Sequence, residues 1–198
     1  LLDSTSSEQR LLRHDAETTL SLRLRTETGT EHSRTEEAFA FFTADPAAHL
    51  SGFLAAQLVA SRALAAARDG APVAEEGRLL ADLIEALSED CADAGHAPLP
   101  DLAVPRRLDT LAVGYLALGA RLGSAVLARQ VTEAGLALPR AFTLTAPQGA
   151  WRAFRQRLDT HSQDPVRAER VIADARAGFD LHRAAAARVW TISESATT

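Results

Sequence analysis

Apolar residues recur at three- and four-residue spacing through almost the whole of this chain, Ala and Leu supply most of them, and runs of β-branched residues are scarce. That period matches one face of an α-helix, not the alternation of a half-buried strand. Helix breakers then divide the pattern. A first helix is predicted over about 21–40, with Leu22, Thr26, Gly29 and Ser33 on a mixed face. Asp45-Pro46 is a start signal, because Pro suits the first helical position. Ser51 is expected to cap the long helix that follows, which stops at Asp69-Gly70. A helix over about 73–94 ends at Gly95, and one over about 108–134 ends at Gly135. Between them, 97–105 holds three prolines and reads as a connection. Thr145 and Asp164-Pro165 open two more helices, about 146–160 and 165–190, and only 141–145 has a weakly extended pattern. Six helices with short connections describe an all-α, single-domain helical bundle.

At 198 residues the chain suits one core. The polar stretch 1–16 is expected to be a loose tail, 17–192 the domain, and 193–198 a second polar tail. The formal net charge is −5, and all 21 basic side chains are arginine. A general nucleic-acid binder needs a dense basic surface, so that class is excluded. Any anion site here must be built from Arg, His or backbone N–H groups. No apolar run approaches the roughly 20 residues that cross a bilayer. The first residues lack the basic start and apolar stretch of a secretory signal, and the lone Cys91 has no partner for a disulfide within the chain. Together these features predict a cytoplasmic protein with no membrane partner.

Two segments carry chemistry. The fourth helix holds Gly114, Gly119 and Gly123, each costing about 1 kcal/mol relative to Ala in a helix interior. Gly119 and Gly123 share a face, which can take either a closely packed helix or a flat ligand lying against bare backbone. Close packing is the commoner use. The first helix places Glu36 one turn after His32, and Arg25 two turns before it. A carboxylate on one imidazole nitrogen fixes the tautomer and makes the other nitrogen a better metal ligand. The same spacing also occurs in ordinary surface ion pairs.

Taken together, Leu24-Arg25, Thr28, His32 and Glu36, then Tyr115, Gly119 and Gly123, then Phe154-Arg155-Gln156-Arg157-Leu158 and Arg170-Val171-Ile172 with Ala175 and Phe179 resemble the biliverdin-producing heme oxygenase family, in particular its bacteriophytochrome-associated bacterial members. The resemblance spans about 20–190. It implies a heme sandwiched between the first helix and a glycine-bent distal helix, with heme both cofactor and substrate. His32 would be the iron ligand and Glu36 its hydrogen-bonding partner. Gly119 and Gly123 would line the face where dioxygen reacts. Arg25, Arg155 and, offset by a residue, Tyr115 would meet the propionates, and Phe179 would be an apolar heme contact. The implied reaction opens the ring at a meso carbon to biliverdin, releasing iron and carbon monoxide. An external donor such as ferredoxin would supply electrons, and a bacteriophytochrome would receive the product.

One departure matters. Family members commonly follow the first distal glycine with Asp, or set it in an acidic-Gly-Ser sequence, whereas this chain has Leu118-Gly119-Ala120. A proton relay would then fall to Arg121, backbone groups and water. The alternative is a heme carrier or sensor without turnover. The remaining histidines, His14, His49, His96, His161 and His182, show no metal-ligand spacing, though His182 follows Phe179 by one turn. Cys91 lies among Glu89, Asp90 and Asp93, a poor setting for a reactive thiolate. Trp151 and Trp190 read as packing residues.

Overall fold

The computed structural model describes residues 19–71, 74–96 and 99–196. The tail expected over 1–16, with His14, lies outside the described residues. Within them the chain is mostly helical, with nine helices and two very short strands. The all-α single-domain expectation agrees with this.

The first predicted helix is three. Helix α1 is Leu20–Glu27, α2 is Gly29–Ala38 and α3 is Ala40–Ala44. The breaks fall at Thr28 and Phe39, whose backbone leaves helical geometry at ψ 7° and 9°. The Thr28 hydroxyl donates to the Leu24 carbonyl at 2.6 Å, the local competition with the helix ladder that a mid-helix Thr offers. The break at Phe39 turns Phe39 and Phe42 together onto Phe53, with ring centroids 5.3 and 4.2 Å away.

Helix α4, Pro46–Ala67, begins at the predicted Asp45-Pro46, and Asp45 rather than Ser51 is its cap, accepting from the Ala48 N–H at 3.1 Å. Ser51 already lies within the helix and bonds His96 Nε2 at 2.5 Å, tying the end of the next helix to α4. Two strands that the helical pattern concealed follow from long-range pairing. β1, Arg68–Asp69, lies parallel to β2, Leu108–Asp109. Between them runs α5, Ala74–Asp93. Helix α6 is Thr110–Glu133, starting two residues later than predicted because Asp109 is its cap and accepts from the Leu111 N–H at 2.9 Å.

Gly95 and Gly135 close α5 and α6 as predicted, at φ 76° and 71°. Each sits in a reversal where the following N–H bonds a carbonyl five residues back, His96 to Cys91 and Leu136 to Val131. The weakly extended 141–145 is corrected to a helical turn, α7, Arg140–Thr143, pinned by Asp90, which accepts from the Arg140 and Ala141 N–H groups. Helix α8 is Ala150–Asp159, shorter than predicted. Helix α9, Pro165–Ala196, runs past 190 and through most of the predicted C-terminal tail.

Helix α9 packs against α4, α6 and α2 and is the spine of the bundle. Asp174 on α9 is fully buried. It accepts from the Asp109 N–H at 2.7 Å and pairs with Arg106 and Arg170, so it locks the start of α6 onto the spine. The expectation that no apolar stretch reaches bilayer length is corrected. By length and composition α4 and α6 could each cross a membrane, because their many Ala residues make them apolar without conspicuous runs of large side chains. In the fold, 61% and 44% of their apolar windows are buried within the bundle.

Candidate functional site

Helices α2 and α6 do not close on one another. Between them lies a cleft of about 920 Å³, near the upper end of the roughly 300–1,000 Å³ of small-molecule sites. One wall carries Arg25, Gly29, His32 and Glu36, and the other Tyr115, Gly119, Ala120, Arg121 and Gly123, while Phe179 and His182 of α9 form the back. Residues separated by about ninety positions in sequence therefore face one space.

The glycines decide between the two uses of a bare helix face. A Cβ placed on Gly119 or Gly123 would meet nothing within 4 Å, and the same holds for Gly29 on the facing wall. Gly114 and Gly178, by contrast, are packing glycines: a Cβ on the first would meet the Phe154 ring at 2.8 Å, and on the second it would collide with Leu116. Close helix packing is thus excluded as the reason for Gly119 and Gly123. Open space over bare backbone continues into exposed apolar surface at Leu122 and Val126, 60% and 52% accessible, both lining the cleft.

His32 lies on a helix with no buried residue of its own. What holds α2 is polar: Arg183 of α9 donates to the Glu31 carbonyl and the Thr35 hydroxyl, both at 3.1 Å. Just upstream, Arg176 donates to the Glu27 carbonyl at 2.9 Å. The His32 Nδ1 is 3.4 Å from a Glu36 carboxylate oxygen, and the ring meets Phe179 edge-on at 5.9 Å. Nε2 has no protein partner among the described residues. Among those residues no group of three or more His, Cys, Asp or Glu could hold a bare metal ion. A metal here would have to bring most of its own ligands.

His182, which sequence reasoning did not place at a site, lines the cleft. Desolvation is the main cause lowering its pKa, with the Arg183 charge adding to it, so its ring is neutral at pH 7. Its Nδ1 is 2.9 Å from the Gly178 carbonyl oxygen, which assigns the proton to Nδ1 and leaves Nε2 as the acceptor. Trp151, read as a packing residue, also reaches the cleft, 5.9 Å from the Tyr115 ring. Trp190 does pack, against Gly52.

Arg155 is the one expected site residue that is not brought to the cleft. It is exposed on α8 and does not line the cleft, whereas its neighbour Arg157 turns inward to Glu76 and over the Phe154 ring. The two-residue offset puts them on different faces of α8, and the buried Glu76 selects Arg157. The Cys91 thiol is buried, and desolvation, with Asp90 second, pushes its pKa up to about 11, which leaves it protonated and unreactive. No protein-family model, curated protein or solved structure matches the chain.

Proposed function

We propose that this chain binds heme between α2 and α6 in a heme oxygenase-like arrangement and opens its ring oxidatively to biliverdin. The observation that carries this reading is that His32 and the side-chain-free Gly119 and Gly123 face one cleft from opposite walls, with empty space where each Cβ would stand. A porphyrin supplies four of its iron's ligands, so a single imidazole suffices, and the residues present fit that demand. When bound, heme is the substrate of its own oxidation: with dioxygen and external electrons the ring opens at a meso carbon, releasing iron and carbon monoxide.

The protein's share follows from its side chains. His32 would hold the iron through Nε2, while Glu36, 3.4 Å from Nδ1, would fix the tautomer and strengthen the donor. Gly119 and Gly123 would let the macrocycle approach the α6 backbone with room left between them for a diatomic ligand. Phe179 and Trp151 would offer apolar edges, and Arg25 and Tyr115 would meet the propionates. Ala120 is exposed on the cleft wall and carries no acid, and among the described lining residues Glu36 is the sole carboxylate, on the His32 side. That favours the second reading, a heme carrier or sensor. In the first, His182 Nε2 is the group left to accept a proton, and Arg121 donates hydrogen bonds that order water. Ferredoxin as donor, a bacteriophytochrome as recipient and a cytoplasmic location belong to the same proposal.

Purified protein mixed with hemin, then supplied with ferredoxin, its reductase, NADPH, oxygen and catalase, tests both. A stoichiometric Soret band that depends on His32 and decays to a biliverdin spectrum with carbon monoxide establishes turnover. A Soret band that persists establishes the carrier. No saturable band removes both.

A further inference from the structure

Arg121 has a charge problem that the rest of the fold does not solve. It stands on α6 between Gly119 and Gly123 and lines the cleft. One guanidinium nitrogen donates to the Ala141 carbonyl at 2.9 Å, but Nε is sealed from solvent with no acceptor. Of the three other described arginines with a similarly orphaned Nε, Arg157 and Arg167 pair with Glu76 and Asp109, while Arg68 has no ion pair but does not line the cleft. Arg121 has no carboxylate within ion-pair distance among the described residues. Burial alone lowers its pKa, and no neighbouring acid offsets that effect. Glu36, the one acid among the described lining residues, is on the facing wall beside His32. A desolvated cation without a counter-charge is unfavourable, and replacing such a group by an uncharged one commonly stabilises a protein. Its retention against a cleft makes sense if a ligand brings the anion. The neighbouring cleft residues Phe53, Phe142 and Leu127 ask for an apolar body behind that charge.

We propose that Arg121 is the anchor of a carboxylate-binding subsite inside the cleft, taking a carboxylate attached to an apolar body. The carboxylate is either a propionate of the macrocycle, an assignment that rests on the heme reading, or that of a separate small ligand. In the first case Arg121 fills the role that Arg155, facing away, does not, and helps set which meso carbon lies against the glycines.

The test uses the intact chain and no iron. Free-base protoporphyrin IX is compared with its dimethyl ester by fluorescence titration, and hexanoate with hexanamide by thermal shift, on wild type, Arg121→Gln and Arg121→Met. For a macrocycle propionate, wild type prefers the free acid over the diester by at least tenfold and both variants lose most of that preference, Arg25 keeping the rest. For a separate carboxylate, hexanoate raises the wild-type Tm while hexanamide does not, and both variants lose the response. Either pattern supports the subsite and names its source. Absence of both in wild type, or undiminished persistence of either in the variants, overturns it. Both variants should melt above ligand-free wild type; failure of both to fold also overturns it, because a purely structural guanidinium needs no ligand. A missing His32-dependent Soret band with hemin defeats the heme reading and leaves these iron-free results to decide the subsite separately.

Discussion

At the scale of single residues, sequence could say that glycines in α6 cost stability but not why each is kept. Gly114, Gly119 and Gly123 look alike along the chain, and what distinguishes them is which helix, if any, passes over them. The distinction is measurable. Gly119→Ala adds a methyl into open space, so the ligand-free protein is expected to gain about 0.5–1 kcal/mol from helix propensity and a less flexible unfolded chain. Gly178→Ala drives a methyl into Leu116 and is expected to lose about 1–3 kcal/mol by overpacking. Urea denaturation of both variants checks the opposite signs, and hemin titration of Gly119→Ala should show weaker binding despite the higher stability. His182 gives a second residue-scale expectation. Its folded pKa lies below the ordinary 6.5, so below pH 6.5 the unfolded chain takes up a proton that the native state refuses. Stability is therefore complete above pH 6.5 and falls with acidification until the folded pKa is passed. His182→Asn should flatten that slope in a pH series of denaturation midpoints.

At the scale of elements, α2 is the one with the least apolar support, and it carries His32. Its polar composition was plain in the sequence, but the long-range partners that hold it were not, because Arg176 and Arg183 are ordinary α9 residues until the fold brings them to carbonyls of the first helices. The segmentation at Thr28 and Phe39 was hidden for a similar reason. A continuous helix would satisfy the local pattern, yet the break is what sends Phe39 and Phe42 onto Phe53. Arg183→Ala removes two hydrogen bonds to α2, so amide exchange over 29–38 is expected to quicken with a global loss of only about 1–2 kcal/mol. Hemin affinity should fall along with it, although Arg183 does not line the cleft. An unchanged exchange pattern with weaker hemin binding would mean that Arg183 acts on the ligand directly.

For the whole molecule, the helical class, the single domain and most helix ends were legible because they follow from 3.6-residue periodicity, Asp-Pro starts and glycine stops. The meeting of α2 with α6 came only from motif resemblance, since no local pattern places His32 opposite Gly119. The inward turn of Arg157 in place of Arg155 depended on Glu76, some eighty positions away. On the proposed reading a ligand completes the bundle, since exposed Leu122 and Val126, three bare glycines and a half-bonded Arg121 all line one cleft. A ligand that fills the gap binds the folded state and not the unfolded chain, so stability must rise with its concentration. At free hemin near 100 times its Kd the gain is about 2.7 kcal/mol, which for a domain of this size corresponds to a Tm increase of about 5–10 °C. Free-base protoporphyrin should give a smaller increase, since it lacks the His32 bond. In His32→Ala the two ligands should then give equal shifts, with ligand-free stability unchanged because the His32 side chain is 60% exposed. Equal shifts in the wild type as well would place iron coordination outside the binding energy, and the cleft would then be a porphyrin site to which His32 contributes nothing.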